Sequence, residues 1–233
     1  INCGNTPIQL SVSGTSLLKS VHLALEPPTP SGKTWVTRGE FLYFHYKCDD
    51  FDDVGWGCAY RTLQSTCSWI INALELGAKN EGGPVPSIPE IQQTLVSISD
   101  KPESFLGSHE WIGALEVFYV IDTLYDVPCK ILHIPQCEDV KKYANIVKQY
   151  FEDFGGLIMM GGDVDASSKG IAGIHISGNQ AYFLVIDPHF VGRVKSVQEL
   201  VDKQYVRWQH TSEFCDSSFY NLCLPQLKAK PVL

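Results

Sequence analysis

No stretch of apolar residues approaches the ~18 needed to cross a bilayer, so no membrane span is expected. The first twenty residues, INCGNTPIQLSVSGTSLLKS, lack a basic segment followed by an apolar one, and no signal peptide is expected. The chain lacks an initiator Met as well, so a trimmed N-terminus is expected. No two cysteines are separated by two residues, which removes the usual zinc spacing. There is no Asn-X-Ser/Thr sequon and no internal repeat. Positive charge is scarce: 18 Lys and Arg against 26 Asp and Glu leave a net charge of −8, which argues against a nucleic-acid partner.

What remains is ordinary for a globular chain. The 233 residues are 44% hydrophobic and 19% charged, enough for one well-buried domain. A single domain over 1–233 is expected. Its segment 1–34 ends in the Pro- and Gly-rich loop EPPTPSGKT, Glu26 to Thr34. A second loop is NEGGPVPSIP, Asn80 to Pro89. The eight cysteines could form four disulfides, but a chain of this size needs no staples. Reduced cysteines in a reducing compartment, the cytoplasm, are expected.

From Cys58 to Leu76 the positions Ala59, Leu63, Cys67, Ile70, Ile71 and Leu74 recur at helical spacing, and Gly77 stands at the place of a C-terminal cap. Ser108 predicts the start of a helix running to about Tyr125. Glu138 to Phe154 predicts a third, stopped by Gly155-Gly156. The period then changes. LIMM, GIHIS and AYFLVID read as strands, with Ser177-Gly178-Asn179 as the tight turn between the last two. Helices followed by a largely antiparallel sheet give an α+β domain.

Within DDVGWGCAYRTLQ, Asp52 to Gln64, a cysteine sits where a glycine-rich turn gives way to the helical pattern. A buried cysteine is ordinarily a small hydrophobe, but this position suits a nucleophile. The first N–H groups of a helix are unpaired and its N-terminus is partly positive, so thiolate is favoured over thiol. The same N–H groups can receive an oxyanion. Gly55 and Gly57 allow close approach of backbone and substrate. The base is sought among seven histidines. In VIDPHF, Asp187 and His189 are two apart at the end of an extended run, hence on one strand face, and Asp187 can orient the imidazole. The alternative is a solvated polar turn. His175, in GIHIS, is the competing base, but it has no carboxylate two residues away and also reads as a satisfied core histidine. GGDVDASSKG, Gly161 to Gly170, lacks the ending of a P-loop. As a calcium loop it has Ser168 where the glycine belongs and Ile174 where the bidentate Glu belongs. It is read as a loop near a cleft.

The pair GWGCAYRTLQ and DPHF resembles the cysteine proteases specific for ubiquitin-fold modifier 1. Further segments resemble that family in the same order: LLKSVHLAL, YFHYKCDDFDD, GSHEWIGALE, GGDVDASSKGIAG and SFYNLCLPQ. The length resembles the short branch of the family. The resemblance implies a papain-like fold and cleavage after the modifier's C-terminal glycine, from its precursor or from a target lysine. Cys58 would then be the nucleophile, His189 the base and Asp187 its orienter. Tyr46, twelve residues before the nucleophile, would complete the oxyanion hole with the Cys58 N–H. Without the resemblance Tyr46 reads as a core aromatic in FLYFHY. Trp111 would lie beside the substrate cleft, although a lone Trp is more often core, and Gly55, Trp56 and Gly57 would wall a channel passed only by glycine. The second motif departs from the family by ending in Phe190 rather than Tyr. No metal or organic cofactor is implied, and a monomer is expected. Two rivals stand beside this reading. One is an autophagy-type or deubiquitinase-type protease of another ubiquitin-like protein. The other is an inactive relative that only binds the modifier.

Overall fold

In the computed structural model, residues 17–74 and 85–228 are described. Seven strands form one sheet: β1 (Lys33–Val36), β2 (Cys129–Ile134), β3 (Ile158–Gly162), β4 (Lys169–Ser177), β5 (Gln180–Ile186), β6 (Val206–His210) and β7 (Tyr220–Pro225). The order is β2-β7-β3-β4-β5-β6, and every pairing is antiparallel. β5 runs along one edge of β4. β3 and β1 share the other edge end to end, β3 against Ile171–Lys169 and β1 against Ile176–Gly173. At the β4–β5 turn Ser177 pairs with Gln180, which leaves Gly178 and Asn179 as a two-residue loop, with Gly178 at φ 55°.

The helices cover both faces of the sheet. They are α1 (Cys58–Ala73), α2 (Ile88–Ser97), α3 (Ala114–Tyr125), α4 (Ala144–Asp153) and the short α5 (Val197–Asp202). α1, α2 and α3 share a buried cluster with Met159, Leu184, Ile186 and Cys223. α4 packs on the other face with Ile158, Met160, Phe183, Val185 and Leu222. Successive strand residues thus alternate between the two clusters, as side chains alternate across a strand. With both faces covered, AYFLVID is apolar at nearly every position. The α+β expectation is borne out, and among the described residues no helix is long and apolar enough to cross a membrane.

Several boundaries differ from the sequence reading for local reasons. α3 begins at Ala114 rather than near Ser108, because the Glu116 carboxylate accepts the Gly113 N–H at 2.9 Å and caps the helix there. Residues 109–113 stay non-helical. In the third predicted helix a 3-10 turn, Val140–Tyr143, leads into α4, with Asp139 accepting the Lys141 N–H at 2.9 Å. α2 starts inside the second predicted loop. Ser87 and Glu90 form a reciprocal capping box there, with Pro89 in the first turn. Gly77, residues 80–84 and the first sixteen residues lie outside the described residues.

Candidate active site

Cys58 is the first residue of α1, after Gly57 as N-cap, and no side chain caps that helix. Its first-turn N–H groups therefore face the cysteine side of the site without a capping acceptor. The turn leading into α1 is fixed from behind. The Asp53 carbonyl accepts the N–H groups of Trp56 and Gly57, at 3.2 and 2.8 Å. Arg61, one turn into α1, holds Asp53 with two bonds of 2.9 Å and Asp49 with two bonds of 2.9 and 2.8 Å. Arg61 and Asp53 are both fully buried. A side chain on Gly57 would collide with the Asp53 carboxylate, so glycine is required by what lies behind the turn.

The sequence carries a signal for this clamp outside the catalytic motifs. The sixteen residues of α1, CAYRTLQSTCSWIINA, contain a single charged side chain. A charge inside an otherwise uncharged buried helix must be paired.

His189 approaches from the end of β5. Asp187 lies just past the strand and Pro188-His189 forms a turn, so the two side chains do not meet by sharing a strand face. One Asp187 oxygen accepts the His189 backbone N–H at 3.0 Å and the ring Nδ1 at 2.5 Å, an Asx-type turn closed on its own histidine. The carboxylate can only accept, so Nδ1 carries the proton. The ring and the Cys58 sulfur each favour the charged form of the other. Arg207 stands 3.6 Å from the other Asp187 oxygen, and the Tyr43 hydroxyl donates to the Asp187 carbonyl at 2.6 Å.

These contacts set the charges. Burial opposes ionisation of Cys58, but the His189 hydrogen bond and the Ser168 N–H and hydroxyl outweigh it and bring the thiol below its ordinary range. Burial likewise opposes the imidazolium, but Asp187 and the Cys58 sulfur raise His189 to about 9. Burial of Asp187 is outweighed in the same way by its bonds to His189, which hold it below the usual carboxylate range. Each shift favours the charged form of its group, thiolate for Cys58 and imidazolium for His189.

Tyr46 is buried, and its ring meets His189 edge-on at 5.1 Å. Its N–H donates to the Pro188 carbonyl at 3.0 Å, which ties its segment to the DPH turn. Burial first, then the sulfur's charge, push its hydroxyl pKa up, and the Gly55 backbone opposes them. The phenol stays protonated as a donor. Gly55 takes φ 87°, a backbone region that favours glycine.

Cys58 lies in a cleft. Trp56, Trp111, Ile112 and Gly113 line one part of it, and Gly161, Gly162, Ala166, Ser168, Phe219 and Asn221 another. Trp56 is stacked on His109 at 4.6 Å, and Trp111 is 59% exposed rather than part of the core. Gly57 is backed by Asp53 and Gly55 is exposed with open space around it, and neither is among the residues that line the cleft. His175 is elsewhere: it is buried, with Thr29 and Thr34 hydroxyls at 2.8 and 2.7 Å from its two ring nitrogens. Among the described residues no group of three or more His, Cys, Asp or Glu is arranged to hold a metal ion.

Comparison with known proteins places this geometry in context. Residues 32–223 match the model of peptidase family C78. Probable Ufm1-specific protease 1 of Drosophila melanogaster is 51% identical over 209 residues, covering 89% of this chain and 86% of that protein. Ufm1-specific protease 1 of Mus musculus is 39% identical, covering 91% and 95%. The crystal structure of UfSP from C. elegans superposes with a TM-score of 0.77 at 29% identity, covering 97% of this chain and 40% of that one.

Proposed function

This chain belongs to peptidase family C78, a cysteine peptidase, and on that premise we propose that it cleaves after the C-terminal glycine of ubiquitin-fold modifier 1. The scissile bond joins that glycine to a short precursor extension or to a target lysine. Two relatives that match it along most of their length carry the name Ufm1-specific protease. The observation that carries the mechanism is one imidazole, His189, hydrogen-bonded to Asp187 and electrostatically paired with Cys58 at the head of α1.

The Cys58 thiolate attacks the glycine carbonyl carbon, and the carbonyl π electrons move onto oxygen. The Tyr46 hydroxyl and the Cys58 N–H donate to that oxyanion. His189 gives its proton to the departing amine as the C–N bond breaks, leaving a thioester. Neutral His189 then takes a proton from water, the hydroxide oxygen bonds the acyl carbon, and the C–S bond breaks to restore the thiolate. Asp187 keeps the ring in its Nδ1–H tautomer throughout. Trp56 and Trp111 border the path of the extended tail. One domain over 1–233 carries all of this, and the chain acts as a monomer.

The test is a modifier bearing a C-terminal electrophile. The chain should become labelled at Cys58 and Cys58→Ala should not. An unlabelled wild-type chain that still binds the modifier would favour the inactive-relative reading, and labelling of Cys58→Ala at the same rate would remove Cys58 as nucleophile.

A further inference from the structure

The loop between β3 and β4 carries two acidic residues spaced like calcium ligands, and both are already engaged with protein. Asp163 accepts the Ser218 hydroxyl at 3.0 Å and the Phe219 N–H at 2.9 Å. Asp165 accepts the Tyr220 hydroxyl at 2.9 Å, and its own N–H donates to Ser218 at 3.1 Å. Gly162 has no room for a side chain against Ser218 and the Phe219 carbonyl. The acids are therefore latches that fasten the loop to the start of β7. The fastened loop ends in Ser168, which is buried and lines the cleft beside Cys58. Its N–H and its hydroxyl both favour the charged form of the Cys58 sulfur across that cleft.

We infer that Ser168 is a positioning residue for the nucleophile: clamped by the Asp163 and Asp165 latches, it donates to the thiolate and holds the sulfur in the cleft while His189 exchanges protons. A sulfur held by His189 and Tyr46 alone could swing about its side-chain bond. A second pair of donors from a separately anchored loop restricts that motion and favours the charged form. The other titratable groups facing the sulfur are His189 from the turn after β5 and Tyr46 from the segment before α1. The first turn of α1 contributes no acid. Ser168 does not exchange a proton with the substrate, since His189 already fills that role.

This inference rests on Cys58 being the nucleophile, and its test separates the two ideas. Alkylation of Cys58 by iodoacetamide is followed against pH without substrate, with the labelled peptide identified by mass spectrometry. In the wild type the rate should already be high at pH 6. Ser168→Ala should lower the pH 6 rate about tenfold, the size of one charge-assisted hydrogen bond, and move the rising limb to higher pH. Ser168→Thr, which keeps the hydroxyl, should recover most of that loss. Asp163→Ala should produce a smaller shift of the same sign by loosening the loop, and it carries the test if Ser168→Ala does not fold. Modifier affinity should change little in all three. A wild type with no enhanced Cys58 reactivity would overturn the nucleophile itself. A reactive wild type whose profile is unmoved by both Ser168→Ala and Asp163→Ala would overturn the positioning role alone.

Discussion

Two histidines, one at the end of β5 and one in the middle of β4, differ in nothing that composition reveals, and their surroundings make them opposites. His175 is enclosed by the Thr29 and Thr34 hydroxyls and the Ser31 carbonyl, at 2.8, 2.7 and 3.1 Å. Those partners satisfy a neutral ring: the carbonyl accepts from Nε2 and the Thr34 hydroxyl donates to Nδ1. His189 faces a carboxylate on one side and a thiol on the other, partners that stabilise its charged form. A histidine whose partners are neutral holds structure. A histidine placed between a base and an acid can move a proton.

Removing either member of the DPH turn should break the contrast most severely. His189→Ala takes away the proton carrier, and single-turnover cleavage of a modifier fusion should fall by about 10⁴ or more. Asp187→Asn should fall less, by about 10³–10⁴, because an amide still contacts the ring while favouring the wrong tautomer. Binding of the modifier, measured separately, should be nearly unchanged in both. Full turnover in His189→Ala would mean that the base lies elsewhere.

The contrast between these histidines is legible in the spacing of Asp187 and His189, although a shared strand face is not its cause. Asp187 and His189 meet through a turn that the carboxylate itself closes, not through a shared strand face. Cys58 was legible because glycines ahead of a helical period mark a helix start, and α1 begins at that residue. Tyr46 was not: nothing in FLYFHY distinguishes a core tyrosine from a donor, and only the resemblance singled it out. α2 was missed although SIPE carries a capping-box pattern at its start. The Arg61 clamp and the contact of Ser168 with the sulfur depend on long-range packing, which periodicity does not encode. β1, β2, β6 and β7 are hard to read for a related reason: polar residues interrupt each of them, and the sheet that holds them is assembled from distant segments.

Tyr46→Phe sharpens the same contrast from the oxyanion side. It removes one hydroxyl and keeps the edge-on ring against His189. Turnover should drop by about 10²–10³ with little change in modifier affinity, since the donor serves the transition state more than the ground state. Unchanged turnover would return Tyr46 to a packing role.

A smaller effect should appear in the pH profile. His189 is raised to about 9, so its protonated form is fully present at neutral pH and is lost as pH rises through that value. Cys58 is lowered, so the thiolate is gained below the ordinary thiol range. The kcat/KM profile should therefore rise early and fall on a limb near 9. In Asp187→Asn that falling limb should move to lower pH, because the carboxylate that holds the charge is gone. A falling limb at the same pH in both proteins would show that it belongs to some other group.

The smallest effect on turnover belongs to His175→Ala, which cuts the comparison from the other side. The ring is 1% exposed, and its loss opens a small cavity and removes its bonds to Thr29, which keeps the Ser31 carbonyl, and to the exposed Thr34. Stability should fall by about 1–3 kcal/mol, from the packing and hydrogen bonds lost with the buried ring. The thermal midpoint should drop by roughly 2–4 °C for each kcal/mol in a chain of this size. Turnover per folded molecule should stay within about twofold of wild type, because none of the ring's partners touches the cleft. Measured together, the two quantities should separate cleanly: His175→Ala loses stability and keeps activity, while His189→Ala loses activity. A dead, fully folded His175→Ala beside an active His189→Ala would reverse the assignment and take the Asp187 orientation argument with it.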